Sequence, residues 1–132
     1  MSKVKALTMQ EAFDKSAWHL ISKMKRCTNA QGRCLYRNAS YTNSCAIGVL
    51  LPDSMYDPRM DSDREEEGWG SIGSILINFP AIKNRFKNLD GIYIDFLASL
   101  QSIHDTSHPD NWFDELKELA EDYSLKFNFE MK

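Results

Sequence analysis

The stretch Thr8-Met-Gln-Glu-Ala-Phe-Asp-Lys-Ser-Ala-Trp-His-Leu-Ile-Ser-Lys-Met24 decides the fold class. It opens with a capping box, Thr8-Met-Gln-Glu11, in which a hydroxyl and a carboxylate satisfy two amides that a helix start leaves orphaned. Met9, Phe13, Ala17, Leu20 and Met24 then recur at steps of three and four, which draws one apolar stripe along a helix. Lys23, Lys25 and Arg26 follow at its end, where cations complement the helix dipole. The spacing predicts an amphipathic helix with a core to cover.

Outward from that helix the chain keeps the same character. After Asp90-Gly91, residues Ile92, Phe96, Leu100 and Ile103, flanked by Tyr93 and Leu97, predict a core helix that runs out at His104-Asp-Thr-Ser-His-Pro109. Trp112 (or Phe113), Leu116, Leu119 and Tyr123 predict a last helix. Shorter helices are expected over 45–51, capped by Ser44 and stopped by Pro52, over 71–78, and from Pro80 through Lys87. Two segments alternate instead: Arg33-Cys-Leu-Tyr-Arg37, and Leu125, Phe127, Phe129 and Met131. Each would be an unpaired edge alone, so they are expected to pair with one another. The expected fold is therefore mainly α (α+β), a compact helical domain with a small two-stranded sheet formed by about 33–37 and 125–131. No internal repeat or linker divides it, and 1–132 reads as a single domain.

Bulk properties narrow the function classes. With 132 residues and 42 % hydrophobic composition the chain can bury a real core and lies outside the disordered regime. No apolar run approaches the roughly 20 residues that cross a bilayer, and the N-terminus lacks a secretory h-region, so a cytoplasmic location without a membrane partner is expected. The odd set Cys27, Cys34 and Cys45 has no two-residue spacing, which favours free thiols over a disulfide framework or a zinc knuckle. Residues 1–37 hold eight Lys/Arg against two acids, a net of +6, which leaves −9 for the rest of a −3 chain. Much of the acidity lies in Asp57-Pro-Arg-Met-Asp-Ser-Asp-Arg-Glu-Glu-Glu67, expected as a loop. Such polarity speaks to association more than to fold.

Four constellations bear on chemistry. Gly68-Trp-Gly-Ser-Ile-Gly73 matches G-x-G-x-x-G, but Arg64-Glu-Glu-Glu67 before it is neither strand-like nor welcoming to phosphate, so a glycine-rich turn is expected rather than a dinucleotide site. His104 and His108 have helical metal-ligand spacing, yet Pro109 pushes His108 out of the helix and no ligand set is completed. No metal and no cofactor are expected. Cys45 at the first turn of a short helix suits a nucleophile, with His104 and Asp105 as the available base and its orienting acid. Against this, Cys45-Ala-Ile-Gly-Val-Leu-Leu51 is apolar, a buried inert cysteine is common, and adjacent residues point about 100° apart on a helix. Finally, Arg33, Tyr36 and Arg37, with Tyr41, can grip an anionic or planar ligand. Asp53 and Asp57 can instead pair with the arginines and close the loop.

The segments Gly32-Arg-Cys34-Leu-Tyr36-Arg37 and Cys45-Ala-Ile-Gly48-Val-Leu-Leu-Pro52-Asp53-Ser-Met-Tyr56-Asp-Pro58, with the later Leu100-Gln-Ser-Ile-His104-Asp105 and Trp112, resemble a family of short proteins encoded by tailed phages and prophages. The resemblance spans most of the chain and implies a phage gene acting in the bacterial host cytoplasm, but no reaction. Three function classes follow. The first is an accessory protein that binds a host protein or a small anionic metabolite, for example in countering defence. The second is a small Cys-His hydrolase or transferase with Cys45 as nucleophile, His104 as base and Arg37 as anion holder. The third, with least support, is nucleic-acid binding or mimicry through the polarised charge.

Overall fold

Helix α1 (Met9–Lys23) starts where the capping box places it. Thr8 Oγ1 accepts the Glu11 N–H at 3.1 Å and Glu11 Oε1 accepts the Thr8 N–H at 2.9 Å. Lys5 Nζ lies 2.7 Å from the other Glu11 oxygen, and this contact holds the Glu11 carboxyl down to about 2. The helix ends at Met24, whose left-handed φ of 50° lets its N–H close on the Leu20 carbonyl. The structure, a computed structural model, describes residues 5–28, 35–37, 43–57, 60 and 72–129.

Ala12, Phe13, Ser16, Ala17 and Leu20 form the buried face of α1. Phe13 is fully enclosed, its ring 6.3 Å from Phe96, 6.2 Å from Phe127 and 6.5 Å from Phe129. Full burial of one such ring stabilises by roughly 1.5–3 kcal/mol. Ser16 is tolerated in that face because its hydroxyl donates to the Ala46 carbonyl at 2.8 Å.

A short helix α2 (Ile72–Asn78) and a 3-10 turn (Pro80–Arg85) lead to α3 (Gly91–Thr106), the core helix. Asp90 caps α3 by accepting the Tyr93 N–H at 2.8 Å. Its buried face is Tyr93, Phe96, Leu97, Leu100, Gln101 and His104. The expected stripe is thus turned about the helix axis: Ile92 is 63 % exposed and Ile103 half-buried. The cause is that two polar residues occupy core positions. A second 3-10 turn (Pro109–Asn111) is capped by His108 Nδ1, which accepts the Asp110 N–H at 3.1 Å. It feeds α4 (Trp112–Asp122), which buries Trp112, Leu116, Leu119 and Ala120 against α1 and α3.

The mainly α character holds, but the expected sheet is not found among the described residues. Only two isolated bridges occur there, Leu7 with Phe86 and Arg37 with Ser44. Residues 125–129 do alternate in burial, with Leu125, Phe127 and Phe129 half-buried and Lys126 and Asn128 exposed. Their partner differs from the expected one. Gln10 on α1 clasps Lys126, donating to its carbonyl at 3.0 Å and accepting its N–H at 2.8 Å. The 35–37 segment bonds elsewhere, Leu35 to the Cys27 carbonyl and Tyr36 to the Cys45 N–H. Residues 33, 34, 130 and 131 of the expected strands lie outside the described residues, as do the glycine-rich 68–71 and nearly all of the acidic run.

The segment 45–51 is also tighter than expected. It holds a single 3-10 turn (Gly48–Leu50) instead of an α-helix over its whole length. A Cβ on Gly48 would fall 2.0 Å from the Tyr36 carbonyl oxygen, so only glycine lets these two backbones touch.

Candidate functional site

The polar residues singled out in the sequence gather into three linked knots. The first surrounds His104, which is fully buried on α3 with its ring stacked on Trp112 at 5.6 Å between centroids. The main-chain N–H of Cys27 donates to His104 Nε2 at 2.9 Å. A main-chain amide can only donate, so Nε2 carries the lone pair and Nδ1 carries the proton. Nδ1 therefore donates to Asp105 Oδ1 at 2.7 Å. The 100° offset between neighbours, which argued against this contact, is overcome because the carboxylate sits at the half-buried margin and reaches back to the ring.

The same knot ties off the end of α1. The Asn43 amide donates to the carbonyls of Lys25 and Arg26 at 3.2 and 3.4 Å, and its Oδ1 accepts the Ser44 N–H at 2.9 Å. His19 Nε2 donates to the Ser44 carbonyl at 2.7 Å. Burial pushes the His19 pKa below its usual 6.5, and the charge of Lys23 acts in the same direction. Arg26 Nη2 and Trp112 Nε1 both donate to the Ser107 carbonyl, at 2.7 and 3.2 Å. The buried Cys27 thiol faces the Asn43 carbonyl at 3.5 Å.

The second knot joins the central segment to α2 and α3. Buried Tyr36 accepts at its hydroxyl from Gln101 Nε2 at 2.8 Å, and Gln101 Oε1 accepts the Ile72 N–H at 3.0 Å. Both ends of a buried amide are thereby used, and the start of α2 is satisfied. Cys45 is buried beside this pair. Its Sγ accepts the Gly48 N–H at 3.2 Å, so the thiol caps the 3-10 turn in the role expected of Ser44.

The third knot is Arg37, whose side chain is 11 % exposed. One arm donates to Asp53 Oδ1 at 2.7 Å and the other to the Leu51 carbonyl at 2.5 Å, while the guanidinium lies 4.7 Å from the Tyr56 ring centroid. This is the loop-closing alternative to an anion grip. Arg33 and Tyr41 lie outside the described residues.

The expected residues are therefore not brought into one catalytic unit. His104 and Asp105 meet. The hydrogen bonds of His104 go to Cys27 and Asp105, and none joins it to Cys45. Cys27, His19, Asn43 and Gln101 complete the knots and carry no motif that spacing could reveal. No group of three His, Cys, Asp or Glu side chains able to hold a metal occurs among the described residues. Cys27 and Cys45 are both buried. No helix among them is long and apolar enough to cross a membrane. Compared with family models, curated proteins and solved structures, the chain matches none.

Proposed function

We propose that the chain is a phage accessory protein that works by binding, with a host protein in the cytoplasm as its partner. One observation carries this reading: polar atoms singled out in the sequence are turned inward and used on the protein's own backbone. His104, Cys45 and Arg37 each close a turn or join two segments. Spent in this way, they favour a scaffold over a reaction centre, and they leave the surface to make contacts. Large apolar side chains do stand on that surface, Ile77 at the end of α2 with 79 % exposure and Ile92 in the first turn of α3.

The test is a paired capture from bacterial lysate. The wild-type chain is expected to retain a protein that the variant carrying Ile77→Asp and Ile92→Asp does not. Equal recovery by both, together with calorimetric binding of phosphate or a nucleotide, would replace this reading with small-anion binding. The His104–Asp105 contact of 2.7 Å favours a second reading, a Cys-dependent hydrolase or transferase. That reading requires His104 Nε2 to exchange the Cys27 amide for a thiol, and native-state alkylation decides it.

A further inference from the structure

We infer that α1 and α4 together form a seat for a partner's peptide with large apolar side chains at alternate positions, and that residues 125–129 are its built-in occupant. Phe127 lies 6.2 Å from Phe13 of α1 and 5.1 Å from Phe113 of α4. Phe129 lies 6.5 Å from Phe13 and stacks on Trp18 at 6.3 Å. Lys126 and Asn128 between them are exposed, so the seat reads every second side chain.

The main chain is read separately, by a group set in place before anything is seated. Gln10 Nε2 donates to Asp14 Oδ1 at 2.9 Å, one turn along α1, and to the Lys126 carbonyl at 3.0 Å. Its Oε1 accepts the Lys126 N–H at 2.8 Å. The bond to Asp14 lies within α1 and orients the amide whether or not the seat is filled. Such a clasp holds main-chain atoms and accepts any residue at that position. A preset main-chain clasp beside aromatic seats is the equipment of a peptide receptor.

The present occupant is lightly held. Among the described residues, positions 126–129 make no backbone–backbone hydrogen bond, and Phe127 and Phe129 are only half-buried. The segment leaves α4 through Ser124, whose left-handed φ of 55° is one that L side chains rarely adopt. A segment with so few main-chain bonds opens before the helices around it. Opening uncovers Phe13 beside Trp18, which is already 64 % exposed. Residues 125–129 thus act as an autoinhibitory plug, displaced by a partner's segment of the same alternation. The inference uses neither Ile77 nor Ile92, so the lysate capture and the test below can fail separately.

The probe is the labelled, end-blocked peptide Leu-Lys-Phe-Asn-Phe, its binding to the full chain read by fluorescence polarisation. In the wild type the tethered segment competes at high local concentration. The variant carrying Phe127→Ala and Phe129→Ala is therefore expected to bind the peptide at least about tenfold more tightly. Adding Gln10→Ala to that variant is expected to weaken binding about tenfold, because both clasp bonds are lost. Circular dichroism establishes that the variants fold. Native-state hydrogen exchange needs no variant: the wild-type Lys126 amide is expected to exchange through an opening that leaves the α4 amides protected. Should the alanine variant not fold, the exchange result decides alone. A Lys126 amide released only by global unfolding would overturn the proposal, as would a folded alanine variant no better than wild type, or binding indifferent to Gln10→Ala. A wild-type dimer in sedimentation equilibrium that excess peptide does not dissociate would also overturn it, by assigning the seat to a second copy.

Discussion

The Cys27 main-chain amide and the His104 ring, 77 residues apart in sequence, meet at 2.9 Å and fix the tautomer of a fully buried imidazole. Replacing His104 by Phe keeps an aromatic partner for Trp112 but leaves the amide without an acceptor, and is expected to cost about 1–3 kcal/mol. His104→Ala adds a cavity and is expected to cost about 2–4 kcal/mol. Urea unfolding monitored by tryptophan fluorescence measures both. A histidine kept only for catalysis would leave the midpoints where they are.

Gly48 and Gly73 are expected to respond oppositely to the same change. At Gly48 an added methyl meets the Tyr36 carbonyl and one backbone must move, so Gly48→Ala is expected to destabilise by roughly 2–3 kcal/mol. At Gly73, within α2, nothing lies within 4 Å of the new Cβ. Gly73→Ala is expected to stabilise by about 0.5–1 kcal/mol. Thermal melts of the two variants check the pair, and like signs would refute the packing argument.

Arg37 and Asp53 share an ion pair but are expected to be unequal in weight. Asp53 is 98 % exposed, and Asp53→Asn is expected to cost no more than about 0.5 kcal/mol. Arg37→Lys loses the fork that reaches the Leu51 carbonyl and the face offered to Tyr56, an expected cost of about 1–2 kcal/mol. Were the ion pair itself the stabilising element, chemical denaturation would find the two substitutions equivalent.

Acid is expected to weaken the fold through His19. Its folded pKa lies below the ordinary 6.5, so between the two values the unfolded chain binds a proton that the folded chain does not. Stability then rises with pH across that window. The contribution is whole above pH 6.5 and is lost as pH falls through that value toward the folded pKa. His19→Gln should flatten the profile in that window, which urea midpoints over a pH series would resolve. Glu11 acts lower: the advantage of wild type over Glu11→Gln should persist above 4.5 and fade toward about 2.

Native alkylation separates binding from thiol chemistry. Cys45 and Cys27 are buried and are expected to react with iodoacetamide only after urea unfolding, at any pH where the fold persists. Rapid modification of native Cys45, read by peptide mass spectrometry, would restore the nucleophile assignment.

Local signals in the sequence were strong where a residue answers to its own helix. The Thr8–Glu11 box depends on neighbours three positions apart, and it lies where the spacing places it. The face of α3 was less legible, because Gln101 and His104 look like surface residues until Tyr36, Ile72 and Cys27 arrive from elsewhere to satisfy them. The alternation of 125–129 was readable, yet its partner was not: a glutamine side chain takes the place of a strand. At the candidate site the Arg37–Asp53 closure was among the expected alternatives. Cys27 carried no signal, since its main-chain amide and not its thiol makes the contact with His104.

The Gln10 clasp on Lys126 joins positions 116 apart, and Tyr93 donates to the Leu7 carbonyl across 86. During synthesis α1 thus emerges well before its last anchor, which arrives only when residues 125–129 leave the ribosome. An incomplete chain ending before Leu125 is expected to hold an unseated first helix with Phe13 open to solvent, a form suited to chaperones and proteases. For a helical protein of this size, that dependence on distant closure should also slow folding.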